Sequence, residues 1–258
     1  MKKYKRIVVK IGTKVITSKD RMLDKVRLKK LVNQIAGIKA RGLDVVLVTS
    51  GAIGTGMGLL GMKKRPVKLA ELQATAAIGQ SRLMHFYSKY FHSKGYCVGQ
   101  ILLTREDFND KKRSANIKST LKTLLKHKVV PIINENDTVA TDEIKFGDND
   151  QLARLVTELC EADKLILLTD VDGLLDENCR VIPVISKITH KILRLGTSSK
   201  CDLGTGGMMT KLLSAQKVQA SGVECTIANG KKKDVLIKIL DGENIGSTFK
   251  SGRRGSKR

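Results

Sequence analysis

The densest run of chemically capable side chains lies between Asn134 and Asp150 (NENDTVATDEIKFGDND), with six carboxylates and three asparagines. Asp148 or Asn149 could cap the helix that follows, but a cap needs only one such side chain. Carboxylates this crowded repel one another unless cations offset them, and the candidates are Mg2+, a substrate ammonium or lysines from elsewhere in the chain. Lys10 is one such lysine. It is embedded in the apolar segment RIVVKI, where an ammonium either snorkels out from an edge strand or meets an anion. Three glycine-bearing segments complete the set: Gly12, the run Ser50 to Gly58 (SGAIGTGMG), and Gly204 to Lys211 (GTGGMMTK). Glycine lets a backbone turn its N–H groups toward an anion, though ordinary turns use it as well. The first two segments do not match a P-loop. The third opens a helix, where unpaired N–H groups favour phosphate, and Lys211 in that first turn opposes the helix dipole unless an anion is present.

Other catalytic chemistries find little support. The four histidines (His85, His92, His127, His190) stand alone on or beside helical stretches, so no Ser-His-Asp arrangement can be drawn. The five cysteines are scattered with no C-x-x-C pair, so neither disulfides nor a structural zinc is expected.

These residues sit at the ends of regular elements. Apolar strands are expected at Arg6–Ile11, Leu43–Thr49, Tyr96–Thr104, Val129–Asn134, Lys164–Thr169 and Val223–Ala228. Between them, helical spacing is visible in Leu28, Leu31, Val32, Ile35 and Ile38, and again from Leu69 to Ser93. Further helices are expected after a Ser114 cap, over Asn149–Ala162 and Gly207–Ala220, and as an amphipathic piece at Asp234–Leu240. Strands apolar throughout and separated by helices make an α/β fold: a mainly parallel central sheet covered by helices on both faces, a three-layer αβα sandwich. Ligands of such sheets gather at the carboxyl ends of the strands, which is where the residues above fall. The domain is expected over 1–250. From Asn244 to Arg258 the chain has five basic residues and no acidic one and is expected as a flexible tail, of which 251–258 (SGRRGSKR) form the basic end beyond the domain.

With 258 residues and 41% hydrophobic content the chain can bury a real core, and its longest apolar runs are far too short to span a membrane. A cytoplasmic protein is expected. The formal charge of +23 suggests a nucleic-acid partner, but 3% aromatic residues and no Trp leave little to stack on bases, which disfavours nucleic acid. The charge is also uneven. Glu135 to Glu177 holds 13 acidic and 3 basic side chains, an acidic island of −10 in a remainder of +33.

Taken in order, VVKIGTKVI (8–16), VTSGAIGTGMGLLG (48–61), GQSRL (79–83), GQILLTREDF (99–108), PIINENDTVATDEIKFGDNDQLA (131–153), LLTDVDGL (167–174) and GTGGMMTK (204–211) resemble the glutamate 5-kinases of the amino-acid kinase superfamily. The resemblance implies ATP-dependent phosphorylation of the γ-carboxylate of L-glutamate, the first step of proline biosynthesis. It places Lys10 and Lys211 on the transferring phosphoryl group with Asp150 between them as organiser. It assigns Ser50, Asp137 and Asn149, with Gly51, Asn134 and Asp148, to glutamate. Lys10, Thr169, Asp170 and Thr205, Gly206, Gly207, Met208, Met209, Thr210 and Lys211 fall to ATP. Mg2+ would be carried mainly by the ATP phosphates, with no protein metal ligand assigned. A homo-oligomer, dimer or tetramer, and proline as feedback inhibitor are also implied. Met209 stands where the family often has a small residue, and the C-terminal PUA-type domain of many members is expected to be absent.

Overall fold

In the computed structural model of the chain, residues 4–18, 22–140, 149–197 and 205–251 are described. Eight strands form one sheet: β1 (Arg6–Ile11), β2 (Asp44–Val48), β3 (Val98–Leu103), β4 (Val130–Glu135), β5 (Lys164–Thr169), β6 (Val184–Ile185), β7 (Glu224–Asn229) and β8 (Ser247–Phe249). Their order is β3-β4-β2-β1-β5-β7-β8-β6, and every pairing is parallel except β7 with β8. The helices are α1 (Thr13–Ile16), α2 (Lys25–Ala40), α3 (Ala52–Leu59), α4 (Leu69–His92), α5 (Glu106–Asn109), α6 (Lys111–Lys126), α7 (Asn149–Leu159), α8 (His190–Leu195), α9 (Thr205–Ala220) and α10 (Val235–Leu240).

Because alternate strand residues face opposite ways, β1 divides its side chains between two cores. Ile7, Val9 and Ile11 join α2, α4 and α10 through Leu28, Leu31, Ile35, Leu83, Tyr87, Phe91 and Leu236. Val8 faces the other layer, where Ile117 and Leu121 of α6, Leu152 and Val156 of α7, and Leu212 and Val218 of α9 pack. Lys10 shares the Val8 face. Strand β1 pairs on both sides, Val9 against Leu47 of β2 and Ile166 of β5, so it is central and Lys10 has no edge from which to snorkel.

Four expectations are corrected. The Ala52–Gly58 run lies in helix α3, not a loop, and Gly56 serves a helix crossing. A Cβ on Gly56 would lie 1.9 Å from Thr75 O, and one on Gly79 of α4 would lie 1.8 Å from Ala52 O, so α3 and α4 touch backbone to backbone. Helix α6 starts earlier than Ser114, because the Asp110 carboxylate accepts from Arg113 N at 2.8 Å and caps it. The stretch from Asn244 is not all tail, since β8 reverses against β7 and buries Phe249; residues 252–258 lie outside the described ones. Finally, Cys97, Cys160 and Cys225 are free thiols, but Cys179 is disulfide-bonded. It occupies a left-handed corner (φ 58°) of a short excursion between β5 and β6.

Candidate active site

The C-terminal edges of β1, β2, β4 and β5 bring most of the expected site residues together. Lys10, one residue from the end of β1, points into the α7–α9 layer, and Asp150 in the first turn of α7 meets it: Lys10 Nζ lies 2.7 Å from Asp150 Oδ1. From α9, Lys211 Nζ donates to Asp150 Oδ2 at 3.0 Å and to Gly207 O at 2.9 Å, and Thr210 Oγ1 donates to the same carboxylate oxygen at 3.2 Å. All three charged residues are buried, with relative exposures of 5% for Lys10, 4% for Asp150 and 9% for Lys211. Burial alone would push the Asp150 carboxyl up, but the two ammoniums outweigh it and bring its pKa down to about 2. The buried cluster therefore holds two cations and one anion, a net positive centre suited to an incoming anionic group.

Helix α9 begins at Thr205, so Lys211 lies in the second turn and not the first. Its side chain reaches back toward the helix N-terminus, as helical side chains do, which is how its ammonium meets Gly207 O. The dipole conflict expected from sequence is weaker than it looked, and the ammonium is held by Asp150 instead. Gly207, Met208, Met209 and Thr210 occupy the opening turns of α9, with Met208 and Met209 half-buried. Thr205 and Gly206 are placed there by their backbone.

A second group is uncharged. Strand β2 is followed by Thr49-Ser50-Gly51; Thr49 N donates to Ile133 O at 2.8 Å, and the Thr49 and Tyr87 hydroxyls are 2.8 Å apart. Gly51 caps α3 with φ 95°, a left-handed conformation that other residues reach at a cost. Asn149 Nδ2 donates to Ser50 Oγ (2.8 Å) and to Asn134 Oδ1 (3.1 Å), and Asn134 Nδ2 donates to Gln80 Oε1 (2.8 Å). Ser50, Asn134, Asn149 and Gln80 are all buried. Gln80 carried no assigned role in the sequence; only its place in GQSRL marked it.

Asp137, just beyond β4, stands apart and half-buried, and burial pushes its carboxyl up to about 6 against the opposing pull of Arg65. Thr169 and Asp170 lie at the end of β5, where Thr169 Oγ1 donates to Asp170 Oδ1 at 3.3 Å and Lys14 Nζ pairs with Asp170 at 3.3 Å. Lys14 was not anticipated. Although burial opposes it, the Lys14 ammonium holds the Asp170 carboxyl below its ordinary value. Asp148 lies outside the described residues.

Among the described residues no group of three or more His, Cys, Asp or Glu could hold a metal ion. Among the described residues the carboxylate at the centre is Asp150, which has Lys10 at one oxygen and Lys211 at the other. No helix among the described residues is long and apolar enough to cross a membrane.

A model of the amino acid kinase family matches residues 5–229. The chain is 50% identical over 250 residues to the glutamate 5-kinase of Thermoanaerobacter pseudethanolicus, covering 95% of this chain and 67% of the relative. The glutamate 5-kinase of Geobacter sulfurreducens is 44% identical over 264 residues, at 100% and 71% coverage. That of Clostridium acetobutylicum is 43% identical over 250 residues, at 95% and 94%. Among solved structures, carbamate kinase from Giardia lamblia bound to AMP-PNP matches with a TM-score of 0.64 at 18% identity, covering 96% of this chain and 99% of that one, a likeness of fold.

Proposed function

The chain belongs to the amino acid kinase family and, within it, to the glutamate 5-kinases, and from that premise we propose how its residues divide the reaction. The enzyme phosphorylates L-glutamate with ATP, in proline biosynthesis. The glutamate γ-carboxylate is already ionised at neutral pH, so no general base is required, in keeping with a site whose histidines lie elsewhere. An oxygen of that carboxylate attacks the γ-phosphorus in line, the bond from the γ-phosphorus to its bridging oxygen breaks, and ADP leaves with the electron pair. Phosphoryl transfer asks a protein mainly for positioning and for positive charge around the equatorial oxygens.

The observation that carries this division is Asp150 held between Lys10 and Lys211 beside the Asn149–Ser50 contact. Lys10 and Lys211 would stabilise the charge on the transferring group, and Asp150 keeps the two ammoniums apart and aimed. Ser50, Gly51, Asn134, Asp137, Asp148 and Asn149 would hold glutamate, with the Asp137 carboxylate facing its ammonium. Thr169, Asp170 and the first turns of α9 would hold ATP, and Mg2+ bound to the ATP phosphates would neutralise their charge. We extend the proposal to a homo-oligomer, to proline as feedback inhibitor and to a cytoplasmic location, all three supported by the family resemblance.

The test is ADP release with MgATP and candidate amino acids, with hydroxylamine to trap the acyl phosphate as a hydroxamate. Glutamate-dependent ADP release with hydroxamate formation is expected. Turnover of aspartate or acetylglutamate in place of glutamate would overturn the substrate assignment.

A further inference from the structure

Among the described residues two buried polar atoms in the uncharged group have no hydrogen-bond partner, Gln80 Nε2 and Asn149 Oδ1, and they are the two ends of one chain of amides. Leaving such an atom unmade costs about 1–3 kcal/mol, so a native fold that keeps one at a candidate binding site gives grounds to look for a ligand. We propose that Gln80 is a positioning residue for the amino-acid substrate: by fixing which end of the Asn134 amide faces Asn149, it leaves the Asn149 carbonyl oxygen as the open acceptor for the substrate ammonium. The inference rests on Asn149 belonging to the glutamate pocket.

The direction of the chain follows from donor and acceptor types. Gln80 offers Oε1 to Asn134, so Asn134 must answer with Nδ2 and is left with Oδ1 toward α7. Asn149 must then present Nδ2, which also serves Ser50 Oγ, and its Oδ1 is turned away from both. An ammonium has only donors, and that oxygen offers it an acceptor beside the Asp137 carboxylate. With the chain reversed, Asn134 would offer N–H groups, Asn149 would turn its oxygen inward, and an N–H pair would face the substrate, suiting an anion instead. The backbone that carries Gln80 is held where α4 crosses α3. Gln80 follows Gly79, where an added Cβ would lie 1.8 Å from Ala52 O and 2.5 Å from Gly56 N at that crossing. The chain also crosses between layers, from α4 on one face of the sheet, over the end of β4, to α7 on the other.

The experiment compares Gln80→Met, which removes the acceptor at similar volume, with Gln80→Glu, which keeps an acceptor oxygen at the same reach. KM and kcat are measured for glutamate and ATP. The inhibition constant of glutarate, the same dicarboxylate without the ammonium, is measured alongside. Gln80→Met is expected to raise KM for glutamate about tenfold, the scale of one lost buried hydrogen bond, with kcat, KM for ATP and the glutarate constant near wild type. Gln80→Glu is expected to restore KM for glutamate to within about threefold. A merely structural role would weaken glutamate and glutarate together, and that result, or an unchanged KM in Gln80→Met, overturns the proposal. Asn149→Ala separates the two levels. If it raises KM for glutamate while Gln80→Met does not, the relay alone fails. If Asn149→Ala itself leaves KM unchanged, the pocket assignment fails and the relay falls with it.

Discussion

Asp137→Asn should make the ligand-free protein more stable while making it a worse enzyme. Burial pushes the Asp137 carboxyl up to about 6, well above its ordinary value, with Arg65 offsetting only part of the effect. Holding it ionised in the folded chain at pH 8 therefore costs about 3 kcal/mol at most, trimmed by solvent because the residue is only half-buried. With a folded-state pKa above the unfolded one, the folded protein binds more protons between about pH 4 and pH 6. Stability falls as pH rises through that window and stays reduced above it. The amide cannot ionise, so the variant escapes the penalty. Urea denaturation at pH 8 should show it about 1–3 kcal/mol more stable, with a rise in midpoint temperature of about 2–4 °C per kcal/mol. The gain should shrink through pH 6 and vanish near pH 4. On the proposed assignment glutamate supplies the missing counter-charge, so it should stabilise wild type more than the variant, and KM for glutamate should rise in Asp137→Asn. Equal or lower stability of the variant at pH 8, or a gain of the same size at pH 4, would refute the reasoning.

Lys10→Met and Lys211→Met, which keep the buried stems but remove the ammonium, should each lower kcat by about two to three orders of magnitude with little change in KM for glutamate; near-normal turnover in either would remove its assigned role. Gly79→Ala drives a methyl into Ala52 O and should destabilise the fold by about 3 kcal/mol, read as a fall in melting temperature. Gly37→Ala, on an exposed position of α2 with nothing within 4 Å of the added methyl, should stabilise by about 0.5–1 kcal/mol in the same assay.

What the sequence made legible depended on whether a signal was local. RIVVKI is a strand with the bounds its apolar run predicts, and the Leu28 to Ile38 stripe is the buried face of α2. The Ser50–Gly58 run misled because glycines for a turn and glycines for a helix crossing look alike until the partner helix is known. The buried pairing of Lys164 with Glu224 at the starts of β5 and β7 gave no signal, since nothing in spacing links residues sixty apart. The same holds at the site. An acidic island and a lysine in an apolar strand were visible as anomalies, but only resemblance, and then geometry, joined Lys10 and Lys211 to one carboxylate. Gln80 was hidden further, because a glutamine on a helix face announces nothing until its amide is seen end to end with two asparagines.

The position of β1 has a consequence for how such a protein can change. On the proposed assignment β1 is a seam: residues for the acceptor stand on β2, β4 and α7 to one side, and those for the nucleotide on β5 and α9 to the other. Lys10, Asp150 and Lys211 join its two sides. Mutations that remodel the acceptor half can therefore accumulate without disturbing the nucleotide half, provided those three keep their contacts. An ancestral sheet of this order is well suited to trading one carboxylate substrate for another through its loops, and directed evolution of acceptor range should yield changes on the β2–β4 side of the seam.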